Sequence, residues 1–328
     1  EWAGIGETSG RRTALARWLT DPVSPASALL ARVMVNRIWQ HLFGQGIVPT
    51  SENFGRNGLP PTHPQLLEWL SDEFVVSGWR VKPLIKLMVM SSVYRQTSAP
   101  SLIPPTAVAS AESVDPDNQL LWRMRLRRLE SEIIRDSILA TSGQLELSMG
   151  GPPIPIKSRA DGLVVISDNG LSHPAKKNRR SVYVLSKRVF NSTLLTIFDQ
   201  PLIATTCSRR HPSAVVSQSL TMLHDLFLFE QAERFAERVA GWDSEIVAHA
   251  SPGKGETQSR QKREIQIAFQ LALGRKPDRE ETEWCIDLLR RQTEIYLNEG
   301  QSKDGAVRQA LIQLCHTLLN TSEFLYVE

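Results

Sequence analysis

Arg128, Glu132, Arg135 and Asp136 fall three or four positions apart in DPDNQLLWRMRLRRLESEIIRDSILATSG, the stretch from Asp115 to Gly143. On a helix such side chains are neighbours on one face. Lining a cleft, Glu132 or Asp136 could serve as a general acid or base. The same spacing also describes an intrahelical salt-bridge ladder, where each pair contributes only roughly 0.3–0.5 kcal/mol. A second group is Asn36, Arg37, Gln40 and His41 in NRIWQHLFG. It reads either as a cleft wall or as a buried hydrogen-bond network that fixes helix packing. Asp199 in FDQP and Arg209 in CSRR complete the candidate polar surface. Lys176, Lys177, Arg179 and Arg180 form one basic loop, and Arg209, Arg210 and His211 another. Brought together, they would attract sulfated or carboxylated polymers; apart, they are solvated charge.

Other chemistries lack their residue patterns. None of the seven histidines has a partner at i, i+4, and there is no CxxC, so no metal site is expected. Cys207 and His211 could supply two ligands to a composite site, which is too few to define one. CxxCH is absent too, so no haem is attached within this segment. No GxSxG elbow is present, and Gly150-Gly151 runs into prolines rather than opening a phosphate-binding helix.

Composition narrows the class. The 328 residues are 41% hydrophobic and 22% charged, as in a folded globular chain. A net charge of +3 is too mild to argue for nucleic acid. No apolar run reaches the roughly 18–20 residues of a membrane span. The abrupt opening EWAGIGETSG suggests a piece of a longer protein. Three cysteines are too few for a disulfide framework. Cys285 and Cys315 sit in apolar helical patterns and read as buried thiols, with a bridge between them left open.

The elements that would position these residues are mainly helical. RRTALARWLTD predicts a short helix with Leu15, Trp18 and Leu19 inward. Trp39, Trp69, Trp122 and Trp284 also sit in helical patterns, where core packing is the default. Pro25 to Phe43 predicts a buried helix ended by Gly44. Thr62 is expected to cap the helix of THPQLLEWLSDEFVVSG, with Gln65 as capping-box partner, and Pro83 to start another. Residues 99–114 read as a Pro/Ser/Ala-rich linker between a helical part at 1–98 and a main part at 115–328, two parts able to pack as one domain. Asp115 and Pro116 are expected to open the charged helix, with Leu129, Ile133, Ile134 and Ile138 as its apolar stripe. GLVVIS and SVYVLSK could pair as a small β element around residues 160–190. Two helices are expected to bend near Asp225, followed by a polar excursion near Gly253 and three more helices. The fold class is therefore mainly α, a multi-helix bundle with a small β element.

The signatures RRTALARWLTDP, ARVMVNRIWQHLFGQGIVPTSENFG, HPQLLEWLSDEFVVSGW, DPDNQLLWRMRLRRLESEIIRD, RRSVYVLSKR, FDQP, ALGRKPDREE and LLNTSEFLYV occur in order along nearly the whole chain. Together they resemble the C-terminal domain of unknown function in large planctomycete proteins that also carry cytochrome-c-like domains. The resemblance implies a periplasmic or secreted setting, a helical fold, and haem in a separate domain of the parent chain. It also implies a role near polysaccharides, because some relatives carry carbohydrate-binding modules. It transfers no catalytic residue. Where that family often reads LND, this chain reads LHD at Leu223, His224 and Asp225. The expected role is a module that docks its cytochrome-c-like domain or holds a large substrate. The alternatives are an enzyme oxidising or hydrolysing a polysaccharide, and binding of anionic polymers through the basic loops.

Overall fold

The computed structural model describes residues 10–188, 190–202, 207, 209–210, 212–247 and 256–327. The chain divides into two compact units, the first ending at Arg127 and the second spanning Arg128–Val327.

In the first unit, α1 (Arg11–Thr20) precedes α2 (Pro25–Phe43). Ser24 Oγ accepts the Ala26 N–H, and Pro25 fits the first turn of α2. Gly44, at φ 81°, ends α2 in the left-handed region with its N–H on the Gln40 carbonyl. Helices α3 (Pro64–Val76) and α4 (Val81–Val89) pack on α2. Val35, Trp39, Phe43, Leu70, Phe74 and Leu84 make the core here. Each such side chain contributes roughly 1.5–3 kcal/mol through burial.

The second unit begins with α6 (Ser131–Thr141), since α5 (Pro105–Val114) still belongs to the first. Ile156–Ser158 pairs antiparallel with Val164–Ile166, Lys157 opposite Val165. Then come α7 (Thr193–Ile197), α8 (Val216–His224) and α9 (Leu226–Val247). Helices α10 (Glu256–Leu273), α11 (Arg279–Asn298), α12 (Lys303–Leu319) and α13 (Ser322–Leu325) follow. A capping box between Asp278 and Glu281 starts α11. Helix α12 packs against both α9 and α11. Ile134, Ile138, Leu228, Phe235, Ile265, Leu314 and Leu318 form the core. Cys285 and Cys315 are buried free thiols, and Cys207 is exposed. Helix dominates the described residues, as the periodicity predicts, and none of these helices is long and apolar enough to cross a membrane.

Several local expectations are corrected. The charged helix does not open at Asp115. That residue instead ends α5, its N–H on the Ala111 carbonyl. Its carboxylate accepts the Gln119 and Leu120 N–H groups at 2.8 and 2.7 Å, which folds the chain into a loop. Asn118 and Leu121 take positive φ there, and helix resumes only at Ser131. Ile134 and Ile138 are core, but Ile133 is exposed. Residues 99–114 carry a 3-10 turn and then α5, whose small residues favour helix once Pro104 and Pro105 have set its start. Thr62 does not cap α3: its hydroxyl donates to the Ile47 carbonyl, and His63 takes the cap position. In SVYVLSK, Ser181–Tyr183 turn as a 3-10 helix and Val184 bridges Ile154, while Val164–Ile166 of GLVVIS pairs with Ile156–Ser158. No residue of α1 is buried, and Trp18 is 56% exposed. Trp69 and Trp284 are exposed as well, whereas Trp39 is core. The Cys207–His211 pairing and residues 251–255 of the excursion near Gly253 lie outside the described residues, whereas the rest of that excursion, from Glu256, is helical and opens α10.

Candidate functional site

The predicted charged ladder is a set of long-range clamps. Arg128, just before α6, donates to Asp199 Oδ2 at 2.6 Å and to the carbonyls of Ser213 and Phe198 at 2.7 and 3.1 Å. Asp199 follows α7 in the left-handed region, φ 64°, which aspartate tolerates better than most residues. Its carboxylate also accepts the Ser213 N–H and hydroxyl, both at 2.8 Å. Glu132 takes a two-pronged bond from Arg210, at 2.5 and 3.1 Å. Arg135 donates to the carbonyls of Arg179 and Lys177 and to Ser181 Oγ. Asp136 accepts the Ser181 N–H and hydroxyl, both at 2.7 Å. Thus α6 anchors two segments, the FDQP–CSRR stretch and the 177–181 loop.

The electrostatics follow from these bonds. Burial works to raise the Asp199 carboxyl, but hydrogen bonds from Ser213 and Arg128 outweigh it and hold the group below its usual range. Burial likewise opposes ionisation of Glu132, and Arg210 with Ser131 reverses the sign. Desolvation lowers the Arg135 guanidinium to about 10, so it stays charged at neutral pH.

Beside this frame lies a cleft of about 370 Å³, within the size range of small-molecule sites. The strand Val164–Ile166 forms one wall, helped by Thr193, whose hydroxyl accepts the Val164 N–H at 2.8 Å. The break between α8 and α9 supplies His224, Asp225, Leu226 and Phe227. Asp225 Oδ1 accepts the Phe227 N–H, turning the chain into α9. Arg135, Lys177 and Glu230 add charge to the lining, and Lys177 sits 3.8 Å from Glu230. Among the described residues, no three His, Cys, Asp or Glu side chains converge as metal ligands.

Against known families, the one described as PSD1, a protein of unknown function (DUF1553), matches residues 11–289. The chain belongs to the PSD1 family. No curated protein and no solved structure matches it.

Within this PSD1 chain the predicted polar surface falls into separate groups. Asn36 is buried in the first unit, where its side chain bonds Val48 at both N–H and carbonyl and also bonds Ser51 Oγ. Gln40 joins through Ser51, giving the packing network among the two readings. Arg37 and His41, on the same helix, are exposed. Arg128, Glu132, Asp199 and Arg210 are gathered by ion pairs, and Arg209 is adjacent in sequence with its carbonyl accepting Cys207 Sγ–H. The basic loop is largely committed. Arg179 is buried and donates to the carbonyls of Ser148, Gly150 and Pro152, and Arg180 lies over the Tyr183 ring. Lys176 donates to Ser172 Oγ. His211 lies outside the described residues. Only Arg135 and Lys177 of the predicted residues line the cleft. Thr193, Leu194 and Phe227 were missed as lining. The visible signals were the β-branched run at Val164 and the helix break at His224-Asp225.

Proposed function

We propose that this chain is a ligand-holding helical module of an extracytoplasmic, cytochrome-linked multidomain protein, with the second unit's cleft as its site. The supporting observation is how charge is distributed around α6. Glu132, Asp136 and Asp199 each hold protein groups, whereas the cleft pairs apolar walls with charge at its lining, as binding sites do. Polysaccharide oxidation or hydrolysis by those carboxylates would require breaking the bonds that shape the unit. Anionic-polymer binding would likewise have to draw on Arg179 and Arg210, which are already engaged. The setting and the cytochrome link rest on the family resemblance alone.

A fragment-library screen by saturation-transfer NMR tests the cleft reading without presupposing a ligand. Hits should disappear with Leu226→Trp, which narrows an exposed lip of the cleft. Hits that survive unchanged would sink it. Docking of the cytochrome-c-like domain is the second reading, favoured by the exposed stripe Val216, Leu220 and Leu223 on α8. Leu220→Glu should then weaken binding of that domain in a calorimetric titration.

A further inference from the structure

Arg135 is an unusual wall for a cleft. It is 2% exposed, and its terminal nitrogens are fixed on neutral acceptors, two carbonyls and a hydroxyl. Its Nε–H has no partner among the described residues. Asp136 is its ion-pair partner, but at 3.5 Å, and the same Oδ1 already accepts two bonds from Ser181. A buried charge that is only partly compensated projects its field strongly through a low-dielectric space. Fixed by three bonds, the guanidinium needs no reorganisation to meet an anion.

The remaining charges do not cancel this. Arg159 pairs with Asp161 at 2.8 Å. Asp225 Oδ1 accepts the Phe227 N–H without cancelling its charge, but the carboxylate is part-exposed and so screened by solvent. Glu230 is solvated and loosely paired with Lys177 at 3.8 Å, so an incoming anion can take over that ammonium. Solvated carboxylates are screened, whereas Arg135 is not. Val164, Ile166, Leu194 and Phe227 give the cleft an apolar wall, beside the neutral polar side chains of Asn178, Ser192, Thr193 and Gln231 and the imidazole of His224.

We propose that the cleft binds a small carboxylic acid with an apolar body. Its carboxylate answers Arg135 and Lys177, and its body lies along Val164–Ile166, Leu194 and Phe227. This rests on the cleft being a binding site, and the test separates the two ideas. Octanoate, octanamide and octylamine are titrated calorimetrically into the whole chain, into Lys177→Gln and into Leu226→Trp. Octanoate should bind at least tenfold more tightly than octanamide. Lys177→Gln should weaken octanoate severalfold and leave octanamide unchanged, and Leu226→Trp should weaken both. Equal binding of acid and amide, both lost in Leu226→Trp, would overturn the anion assignment and leave the cleft a binding site. Tightest binding by octylamine would also overturn it, as would no binding by any of the three; the fragment screen then decides the cleft reading by itself.

Discussion

Arg128, Arg135, Arg179 and Arg238 all donate to main-chain carbonyls. The planar fork of arginine suits this work because several donors lie at fixed angles. Lysine offers a single rotatable ammonium. Arg135→Lys should therefore destabilise the second unit by about 2–3 kcal/mol, the scale of lost charge-assisted bonds in a buried site, as read from urea denaturation. Asp199→Asn should cost about 2 kcal/mol at neutral pH, because Arg128 keeps its buried charge without its counterion. The pH dependence has a definite sign. The Asp199 carboxyl is depressed in the folded state, so the folded protein binds fewer protons than the unfolded one in the acid range. Its stabilisation is complete above the unfolded value, about 4, and is lost as pH falls through the folded value. Denaturation midpoints of the native chain should fall on acidification below about pH 4, and Asp199→Asn should flatten that slope. A parallel slope in the variant would rule the pair out as the cause.

The loop after α2 illustrates what sets an element's path. A Cβ on Gly46 would sit 2.5 Å from Asn36 Nδ2 and 2.7 Å from the Val48 carbonyl oxygen. Gly46→Ala should therefore cost about 1–3 kcal/mol by overpacking, with chemical-shift changes centred on Asn36 and Val48; a neutral substitution would show that the loop can yield. Elements governed by local chemistry were legible in the sequence. The Ser24-Pro25 start and Gly44 stop of α2, the Asp225 break, and the long C-terminal helices all follow from caps and periodicity. Asp115 was not, because an aspartate before proline carries the same local signal whether its oxygens cap a helix or close a loop. The clamps on α6 were also hidden. Arg128 and Asp199 lie 71 residues apart, and Glu132 and Arg210 lie 78 apart. Helical spacing supplied plausible but false neighbours for Arg128 and Glu132. The cleft was half legible: its strand and its helix break were visible, but their meeting was not.

At the scale of the whole molecule, the two hydrophobic clusters share no buried residue. Separate cores unfold as separate cooperative units. Scanning calorimetry should resolve two transitions, with Val35→Ala lowering one and Leu314→Ala the other. One transition moved by both substitutions would refute this. The buried members of the first core run from Ala31 to Met124, whereas the second draws on residues from Ile134 to Phe324. Synthesis proceeds from the N-terminus, and domains fold as units while the chain emerges. The first core is therefore complete once synthesis has passed Met124. The second has to wait for α12 and α13, its unfinished helices exposed throughout. A chaperone attending this protein during synthesis would thus find its work concentrated on the later-made of the two units.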